Sequence, residues 1–267
     1  METIFGSAQA YVVLGRVQSL DQLNMSSFNQ NMIKTNKKAL EEATKLHNHA
    51  LINQEHQSWC ALEQSTLKIS SLNARSLRKH FSSLAVDFVL LHSNIICINE
   101  TFLSAADNMK QFSLPHYKLI TCSGGRGSGV AVYIKDNLNI VGGFDANKTS
   151  HQILKVQFPN FDLVAVYRSP SQLNEDDFLS DLQLCIDQDQ KTIICGDFNI
   201  AYGKSRSNIT PLWRRQVGFI QIINQPTHIQ GNTRHHIYLK SLDPLTHFIH
   251  PLYFSDHDAT CVLLKSE

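Results

Sequence analysis

The sequence of 267 residues lacks an apolar stretch long enough to cross a membrane, and its N-terminus lacks the basic and apolar segments of a secretory signal. Apolar runs such as residues 88–91 are far shorter than the roughly 20 residues that a membrane-spanning helix needs. These absences predict an intracellular, unsecreted protein with no membrane partner.

Disulfide and zinc-site spacings are absent as well. The six cysteines form no C-x-x-C pair, and the 13 histidines show no spacing typical of a zinc site. Buried structural thiols in a reducing compartment are therefore expected. The net charge of +1 neither favours nor excludes nucleic acid, although Arg214-Arg215 offers a local basic patch.

No phosphate-binding loop of the form G-x-x-x-x-G-K-[ST] occurs in the sequence. The segment Gly203-Lys204-Ser205 lacks the upstream glycine at the required spacing. We therefore expect that this chain alone does not use ATP.

The composition changes near residue 65. Residues 34–63 are polar and weakly periodic, whereas strand and helix signals alternate in short order after them. This alternation predicts a mixed α/β layer structure at 65–267, and 42% hydrophobic residues suffice for its core. A linker at 49–64 and a short, mainly helical N-terminal appendage at 1–48 would precede this domain.

Hydrophobic patterning within 65–267 predicts eight strands and two helices. The strands are predicted at 67–73, 94–99, 130–134, 151–158, 161–167, 191–195, 236–240 and 260–264. One helix should run through 77–91 with a single apolar face that includes Phe88. The other should begin after an N-cap at Asn174 and bury Phe178, Leu182, Cys185 and Ile186.

Polar residues stand where several of these strands end. Phosphodiester hydrolysis near neutral pH requires a divalent cation, an activated water and donors for the developing charge. Hard carboxylates suit Mg²⁺, which usually takes only one or two protein ligands. Each polar residue alone is explained better by turn chemistry, but their order along the chain favours a catalytic site. These residues are Asn73, Glu100, Tyr167, Asp197, Asn199, Asp256 and His257.

Seven segments follow one another in a fixed order, and five of them carry these residues. Together the seven are far more specific than any one of them. They are Ser-Leu-Asn-Ala-Arg-Ser-Leu (71–77), Ile-Asn-Glu-Thr-Phe-Leu (98–103), Gly-Ser-Gly-Val-Ala-Val-Tyr-Ile (127–134), Val-Tyr-Arg-Ser-Pro-Ser (166–171), Gly-Asp-Phe-Asn (196–199), Pro-Thr-His-Ile-Gln-Gly-Asn-Thr (226–233) and Ser-Asp-His (255–257). The set resembles the ordered motifs of the DNase-I-like endonuclease/exonuclease/phosphatase superfamily, and most closely its transposable-element branch. The resemblance covers about 65–267.

The resemblance implies a two-sheet α/β sandwich with a phosphodiester-cleaving site at one edge of the sheets. The implied cofactor is Mg²⁺, with Mn²⁺ as a substitute, and the implied partner is DNA. A nuclear location is expected if the protein acts on host DNA. By the same resemblance, Glu100 and Asp256 bind the metal. Asn73 and Asn199 belong to the catalytic group and hold the phosphate and its neighbours, and Arg168 also binds substrate. Tyr167 donates to the phosphoryl oxygens, Asp197 positions or deprotonates the attacking water, and His257 contacts the scissile phosphate or shares the acid/base work.

One position departs from the family pattern. Where the family has an aspartate that holds the catalytic histidine in its working tautomer, this sequence has His235. Loss of such a supporting carboxylate typically costs about 10–100-fold at metal sites. Weakened or lost cleavage is therefore expected.

The N-terminal segment 9–20 resembles the last motif of Pif-type superfamily-one helicases. On that match Arg16 is a former arginine finger, and Gly15 stands where those helicases usually have serine. An ordinary strand and turn explains so short a match equally well. A helicase remnant joined to such a nuclease resembles the replication proteins of Helentron-type transposons.

Three functions remain open from the sequence. The first is a Mg²⁺-dependent endonuclease that nicks DNA during the mobilisation of a transposable element. The second keeps the fold and the hydrolysis but acts on a phosphoinositide or another small phosphoester, since a fold does not determine its substrate. The third is a non-catalytic remnant that binds nucleic acid, which the histidine at position 235 suggests.

Overall fold

A computed structural model describes Trp59 and residues 66–124, 126–170, 175–200 and 218–265. The predictions for the N-terminal appendage, Arg16, most of the linker and the N-cap at Asn174 lie outside these residues. Within the described part of the chain, no helix is both long enough and apolar enough to span a membrane.

The described residues form twelve strands, three short α-helices and one 3₁₀ turn. The strands are β1 Thr66–Asn73, β2 Ile95–Asn99, β3 Tyr117–Cys122, β4 Val130–Lys135, β5 Gly142–Asn147, β6 His151–Gln157, β7 Asp162–Arg168, β8 Thr192–Asp197, β9 Ile220–Gln221, β10 His235–Lys240, β11 Pro244–His250 and β12 Ala259–Lys265. The helices are α1 Leu77–Leu84, α2 Phe88–Leu91 and α3 Glu175–Leu184, and the 3₁₀ turn is Met109–Phe112.

Two six-stranded mixed sheets make up the fold. The first has the strand order β11-β12-β1-β2-β4-β3, and the second has the order β5-β6-β7-β8-β10-β9. The pairs β1–β2 and β7–β8 are parallel and the other pairs are antiparallel. Strands β1 and β2 pack against β7 and β8, so the carboxyl ends of both parallel pairs meet at one edge. The predicted two-sheet α/β sandwich is confirmed.

Alternation along the strands explains the layers. Alternate residues such as Ile95, Cys97, Ile193 and Cys195 fill the space between the sheets. Their neighbours on the first sheet pack against α1 and α2, and those on the second sheet pack beneath α3. The cysteines at positions 97, 122, 185, 195 and 261 are buried and free, as the sequence predicts.

The prediction of one helix through 77–91 is wrong, because the structure has two helices there. Helix α1 ends at Leu84, and the side chain of Asp87 accepts a hydrogen bond from the Leu90 amide to begin a new turn. His250 also contacts the Asp87 carboxylate, at 2.9 Å. Phe88 is consequently 62% exposed rather than part of the apolar face. An N-cap side chain here outweighs the helical spacing of the apolar residues.

The eight predicted strands are confirmed, and the four that were not predicted are β3, β5, β9 and β11. These four are the edge strands of the two sheets. An edge strand packs on fewer neighbours, so its sequence needs less regular burial. Strand β5, for example, is largely exposed.

Candidate active site

Asn73, Glu100 and Asp197 meet where β1, β2 and β8 end. The side-chain amide of Asn73 donates to Glu100 Oε1 and to Asp197 Oδ2, both at 2.9 Å. The Arg75 amide in turn donates to Asn73 Oδ1 at 2.9 Å. Asn73 is fully buried. It therefore holds two carboxylates next to each other. Its side-chain amide and its side-chain oxygen both have hydrogen-bond partners.

Glu100 follows β2 in a left-handed backbone conformation with φ of 49°. Such a conformation is unfavourable for a residue with a Cβ and is concentrated at functional sites. Burial raises the pKa of Glu100; the Asn73 hydrogen bond lowers it, and the charge of Asp197 raises it further. The two neighbouring carboxylates favour a cation that would relieve their repulsion.

Tyr167 lies near the end of β7 and is almost fully buried. Its hydroxyl donates to the carbonyl of Gly127 at 3.0 Å. Burial raises the pKa of this phenol, and the charges of Glu100 and Asp197 act in the same direction. Tyr167 therefore keeps its proton near these carboxylates and remains a hydrogen-bond donor.

Asn99 joins the two sheets behind the site. Its side-chain amide donates to the Val166 carbonyl at 2.7 Å, and its side-chain oxygen accepts from the Asp197 amide at 3.0 Å. Gly196 allows this close approach, since a Cβ at its φ of +146° would lie 1.9 Å from the Val166 oxygen. Asn99 and Gly196 thus fix the position of the Asp197 backbone relative to β2 and β7.

Asn199 and Arg168 lie beside this group. The Asn199 amide donates to Asp197 Oδ1 at 2.9 Å, and its side chain donates to the Arg168 carbonyl at 2.8 Å. Asn199 has φ of 50°, and Arg168 is buried at the end of β7. Asn199 therefore orients Asp197.

Asp256 and His257 precede β12 and form the other side of the site. Asp256 Oδ2 pairs with the guanidinium of Arg75 at 2.5 Å. Ser255 links this segment to β1, because its hydroxyl donates to the Asn73 carbonyl at 2.7 Å and accepts from the His257 amide at 3.2 Å. His257 Nδ1 lies 3.9 Å from Asp197 Oδ2, and its Nε2 lies 3.8 Å from Asp256 Oδ1.

His235 begins β10 directly opposite Asp197. Its Nε2 lies 3.8 Å from Asp197 Oδ2, and its ring centroid lies 4.9 Å from that of His257. Burial lowers the pKa of His235 and of His257 to about 3 each. His235, where the family resemblance implies an aspartate, therefore lies beside the candidate catalytic histidine His257. It places a neutral ring there in place of a carboxylate.

His228 is a neighbour of His257 that was not predicted. Its Nδ1 accepts a hydrogen bond from the Gln230 amide at 3.1 Å, so in the neutral ring the proton lies on Nε2. That Nε2 lies 3.6 Å from Asp256 Oδ2. Thr227, next to it, accepts from the amides of Arg234 and His235 and so holds the start of β10.

The carboxylates of the site fit a hard divalent cation. Glu100 and Asp256 are both partly exposed, as an ion that keeps several waters requires. Asp256 Oδ1 has no hydrogen-bond partner among the described residues. Two clusters of three potential ligands occur in the described part of the chain, Asp197–His235–His257 and His228–Asp256–His257. Neither cluster includes Glu100.

His236 is a buried histidine next to the site whose titration should affect stability. Its Nδ1 lies 3.0 Å from the Tyr238 hydroxyl, and its Nε2 lies 3.0 Å from the Ile200 carbonyl, which suits a neutral ring. Burial lowers the pKa of His236 to about 4, against about 6.5 in an unfolded chain. Between these values the unfolded state binds more protons, so stability falls as the pH falls.

We expect His236 to make the free energy of unfolding fall by about 1.4 kcal/mol for each pH unit between pH 6 and pH 4.5. Urea unfolding of chelator-treated protein across this range would measure the slope. His236→Gln should reduce the slope by that amount, whereas His247→Gln, on the exposed face of β11, should not. An unchanged slope in the His236 variant would contradict the expectation.

The structure thus gathers all the residues that were predicted for the site around the ends of β1, β2, β7 and β8 and the start of β12. Arg75, Asn99, His228 and Ser255 were missed as site residues. Each of them lies inside one of the seven recognised segments, so the signal for them was present. Their partners are distant in the sequence, and the motifs do not indicate which neighbours pair.

The comparisons with solved structures agree on the fold. The catalytic domain of human Nocturnin is 14% identical, with a TM-score of 0.60 over 76% of this chain and 94% of that one. An AP endonuclease from Archaeoglobus fulgidus is 16% identical, with a TM-score of 0.55 over 73% of this chain and 98% of that one. The endonuclease domain of TRAS1, a telomere-specific non-LTR retrotransposon, is 13% identical, with a TM-score of 0.56 over 75% and 98%.

No curated protein matches the chain in sequence. The model of the Endonuclease/Exonuclease/phosphatase family matches residues 66–257, which is more than half of the chain. This range contains all seven segments and the whole site described above. The chain belongs to the endonuclease/exonuclease/phosphatase family.

Proposed function

We propose that this protein is a Mg²⁺-dependent phosphodiesterase that nicks one strand of DNA, with cleavage slowed by His235. The observation that carries the proposal is the buried Asn73 amide that holds the Glu100 and Asp197 carboxylates together. Carboxylates held side by side in a buried site provide both a ligand for a hard cation and a base.

The proposed mechanism assigns one task to each side chain. Asp197 orients the attacking water and accepts its proton, since Asn73 and the Asn199 amide fix its carboxylate. Tyr167 keeps its proton and donates to the phosphoryl oxygens in the transition state. His257 contacts the scissile phosphate, and Asn199 and Arg168 bind the flanking substrate.

Glu100 and Asp256 would hold the Mg²⁺, for which Mn²⁺ is a substitute. The ion would neutralise the charge that develops on the phosphate. Arg75 pairs with Asp256 and also lowers the pKa of Glu100 through its charge. In this proposal the positive charge of Arg75 partly neutralises the carboxylates of Asp256 and Glu100. The ion would replace Arg75 as the partner of these carboxylates when it binds.

One observation favours a second candidate, a non-catalytic protein that binds nucleic acid. His235 replaces the carboxylate that the family resemblance implies, and its neutral ring cannot fix the tautomer of His257 as a carboxylate would. This candidate predicts DNA binding that weakens with salt and no Mg²⁺-dependent cleavage. The small-phosphoester alternative has no comparable observation in its favour.

The proposal includes an origin in a transposable element and an intracellular place of action, which is the nucleus if the protein acts on host DNA. The fold likeness to the TRAS1 endonuclease domain and the seven ordered segments support the origin. We further propose that 1–48 is a helicase remnant containing Arg16, that 49–64 is a linker, and that 65–267 is the nuclease domain, as in Helentron-type elements. Genomic flanks without helicase and replication-initiator coding regions would contradict this origin.

Plasmid nicking tests the activity. Supercoiled plasmid is incubated with the protein in Mg²⁺, in Mn²⁺ and in chelator, and the release of inorganic phosphate from small phosphoesters is measured in parallel. We expect nicked circles with either ion and none in chelator. Glu100→Gln should raise the Mg²⁺ concentration needed for half-maximal nicking by at least about tenfold. Salt-sensitive DNA binding without nicking would support the non-catalytic candidate instead.

A further inference from the structure

Two ring nitrogens near Asp197, His235 Nε2 and His257 Nδ1, are unusual for a buried cluster. Neither has a hydrogen-bond partner of normal geometry among the described residues, although the Ser71 backbone lies beside the His235 ring. His235 is 0% exposed and His257 is 4% exposed. Buried polar atoms are nearly always hydrogen-bonded, because losing water without a replacement partner is unfavourable. A group of such atoms facing one carboxylate indicates a ligand that the protein atoms do not supply.

The geometry of the group suits a single metal ion. Asp197 Oδ2 lies 3.8 Å from His235 Nε2 and 3.9 Å from His257 Nδ1, and the three ligand atoms lie within 4.8 Å of one another. Tetrahedral ligands at about 2.0–2.1 Å from a zinc ion are about 3.3 Å apart. Asp197 Oδ2 would need to approach each ring nitrogen by about half an ångström, and the two ring nitrogens would need to approach each other by at most about 1.5 Å.

The hydrogen bonds of the site leave Asp197 Oδ2 and His257 Nδ1 available to bind a metal ion. Asp197 Oδ2 accepts from Asn73 and retains a second lone pair. With Nδ1 of His257 as the ligand, its Nε2 lies 3.8 Å from Asp256 Oδ1, a carboxylate in the place where metal-bound histidines usually have a supporting one.

The second cluster, His228–Asp256–His257, does not offer the same set. His228 Nδ1 accepts from the Gln230 amide, so the proton lies on Nε2, the atom that faces Asp256. A protonated ring nitrogen cannot bind a metal ion. His228 instead donates its proton toward Asp256 and remains outside the metal site.

We propose that Asp197, His235 and His257 form a buried binding site for one first-row transition metal ion of the Zn²⁺ class. Two imidazole nitrogens and one carboxylate suit Zn²⁺, Co²⁺ or Ni²⁺, whereas Mg²⁺ prefers oxygen ligands alone. The histidine that departs from the family pattern supplies the second imidazole. The site shares Asp197 and His257 with the proposed cleavage site, so its test measures metal binding directly and does not depend on cleavage.

The experiment uses the full chain after removal of metals with chelator. Equilibrium dialysis against Zn²⁺ with excess Mg²⁺ gives the stoichiometry, and Co²⁺ in place of Zn²⁺ gives a visible absorption spectrum. We expect one Zn²⁺ per chain and tetrahedral Co²⁺ bands. His235→Leu, which keeps a similar volume, should weaken Zn²⁺ binding by at least about 100-fold. Zn²⁺ should raise the melting temperature of the parent but not of this variant.

Two matched variants and a measurement on the parent keep the result decisive. His247→Gln removes an exposed histidine and His228→Gln removes the one in the second cluster, and both should bind Zn²⁺ as the parent does. Nitrogen NMR of the parent should show metal shifts at Nε2 of His235 and Nδ1 of His257, even if the leucine variant does not fold. No bound Zn²⁺ in the parent, or loss of binding in His228→Gln, overturns the proposal.

Discussion

Replacing His235 with aspartate is expected to raise the rate of Mg²⁺-dependent plasmid nicking by about 10- to 100-fold. Position 235 lies beside the His257 ring, with 4.9 Å between the two ring centroids. A carboxylate there would hold the His257 ring in one tautomer and stabilise its protonated form, which the neutral ring of His235 cannot do. Burial without such a carboxylate lowers the pKa of His257 to about 3 in the parent protein.

The measurement compares initial nicking rates of metal-depleted protein to which only Mg²⁺ is returned. His235→Asn is the matched control, because asparagine has the size of aspartate without its charge. It should nick no faster than the parent within a few-fold. Equal rates for the parent and both variants would contradict a role for position 235 in cleavage. A large gain in both variants would show that ring volume, rather than charge, limits the parent.

Changing Asp197 to asparagine is expected to lower the nicking rate by about 10²- to 10⁴-fold. The carboxylate is fully buried, its two oxygens are fixed by the amides of Asn199 and Asn73, and His257 lies 3.9 Å away. Asparagine keeps the size of the side chain but loses its negative charge and its ability to accept a proton from water.

This rate is best measured in the His235→Asp background. The higher activity expected there makes a rate that is lowered 10²- to 10⁴-fold easier to detect. Asp189→Asn, in the exposed turn after α3, is the matched control and should leave the rate unchanged. Thermal unfolding of each variant separates loss of chemistry from loss of fold. A double variant that unfolds normally and nicks within tenfold of its background would exclude Asp197 as the base.

The eight inner strands followed from the sequence because each is buried on both faces or alternates strongly between them. The edge strands were not predicted, because strands such as β5 and β9 have few buried residues. Their strand conformation depends on pairing with a neighbouring strand. The break between α1 and α2 was missed for a related reason. It depends on the Asp87 side chain and its contact with His250, which is 163 residues away in the chain.

For the site, too, the sequence predicted the residues but not the contacts between them. The family resemblance named Asn73, Glu100, Tyr167, Asp197 and His257, and the fold brings all of them together. Their assigned roles stay predictions. The resemblance did not indicate that Asn73 bridges two carboxylates, nor that Arg75 pairs with Asp256.

By itself, the sequence determined the two-sheet sandwich, its inner strands, the family and the departure at position 235. Local patterning and ordered motifs record these features, because strand burial and strand-end chemistry are properties of short segments. Only the tertiary structure decided what the departure produces. Strand pairing places His235 opposite Asp197, and the packing of the segment before β12 brings His257 to the same carboxylate. One nitrogen of each ring therefore lies within 3.9 Å of the same buried oxygen, an arrangement that depends on the packing of residues far apart in the chain.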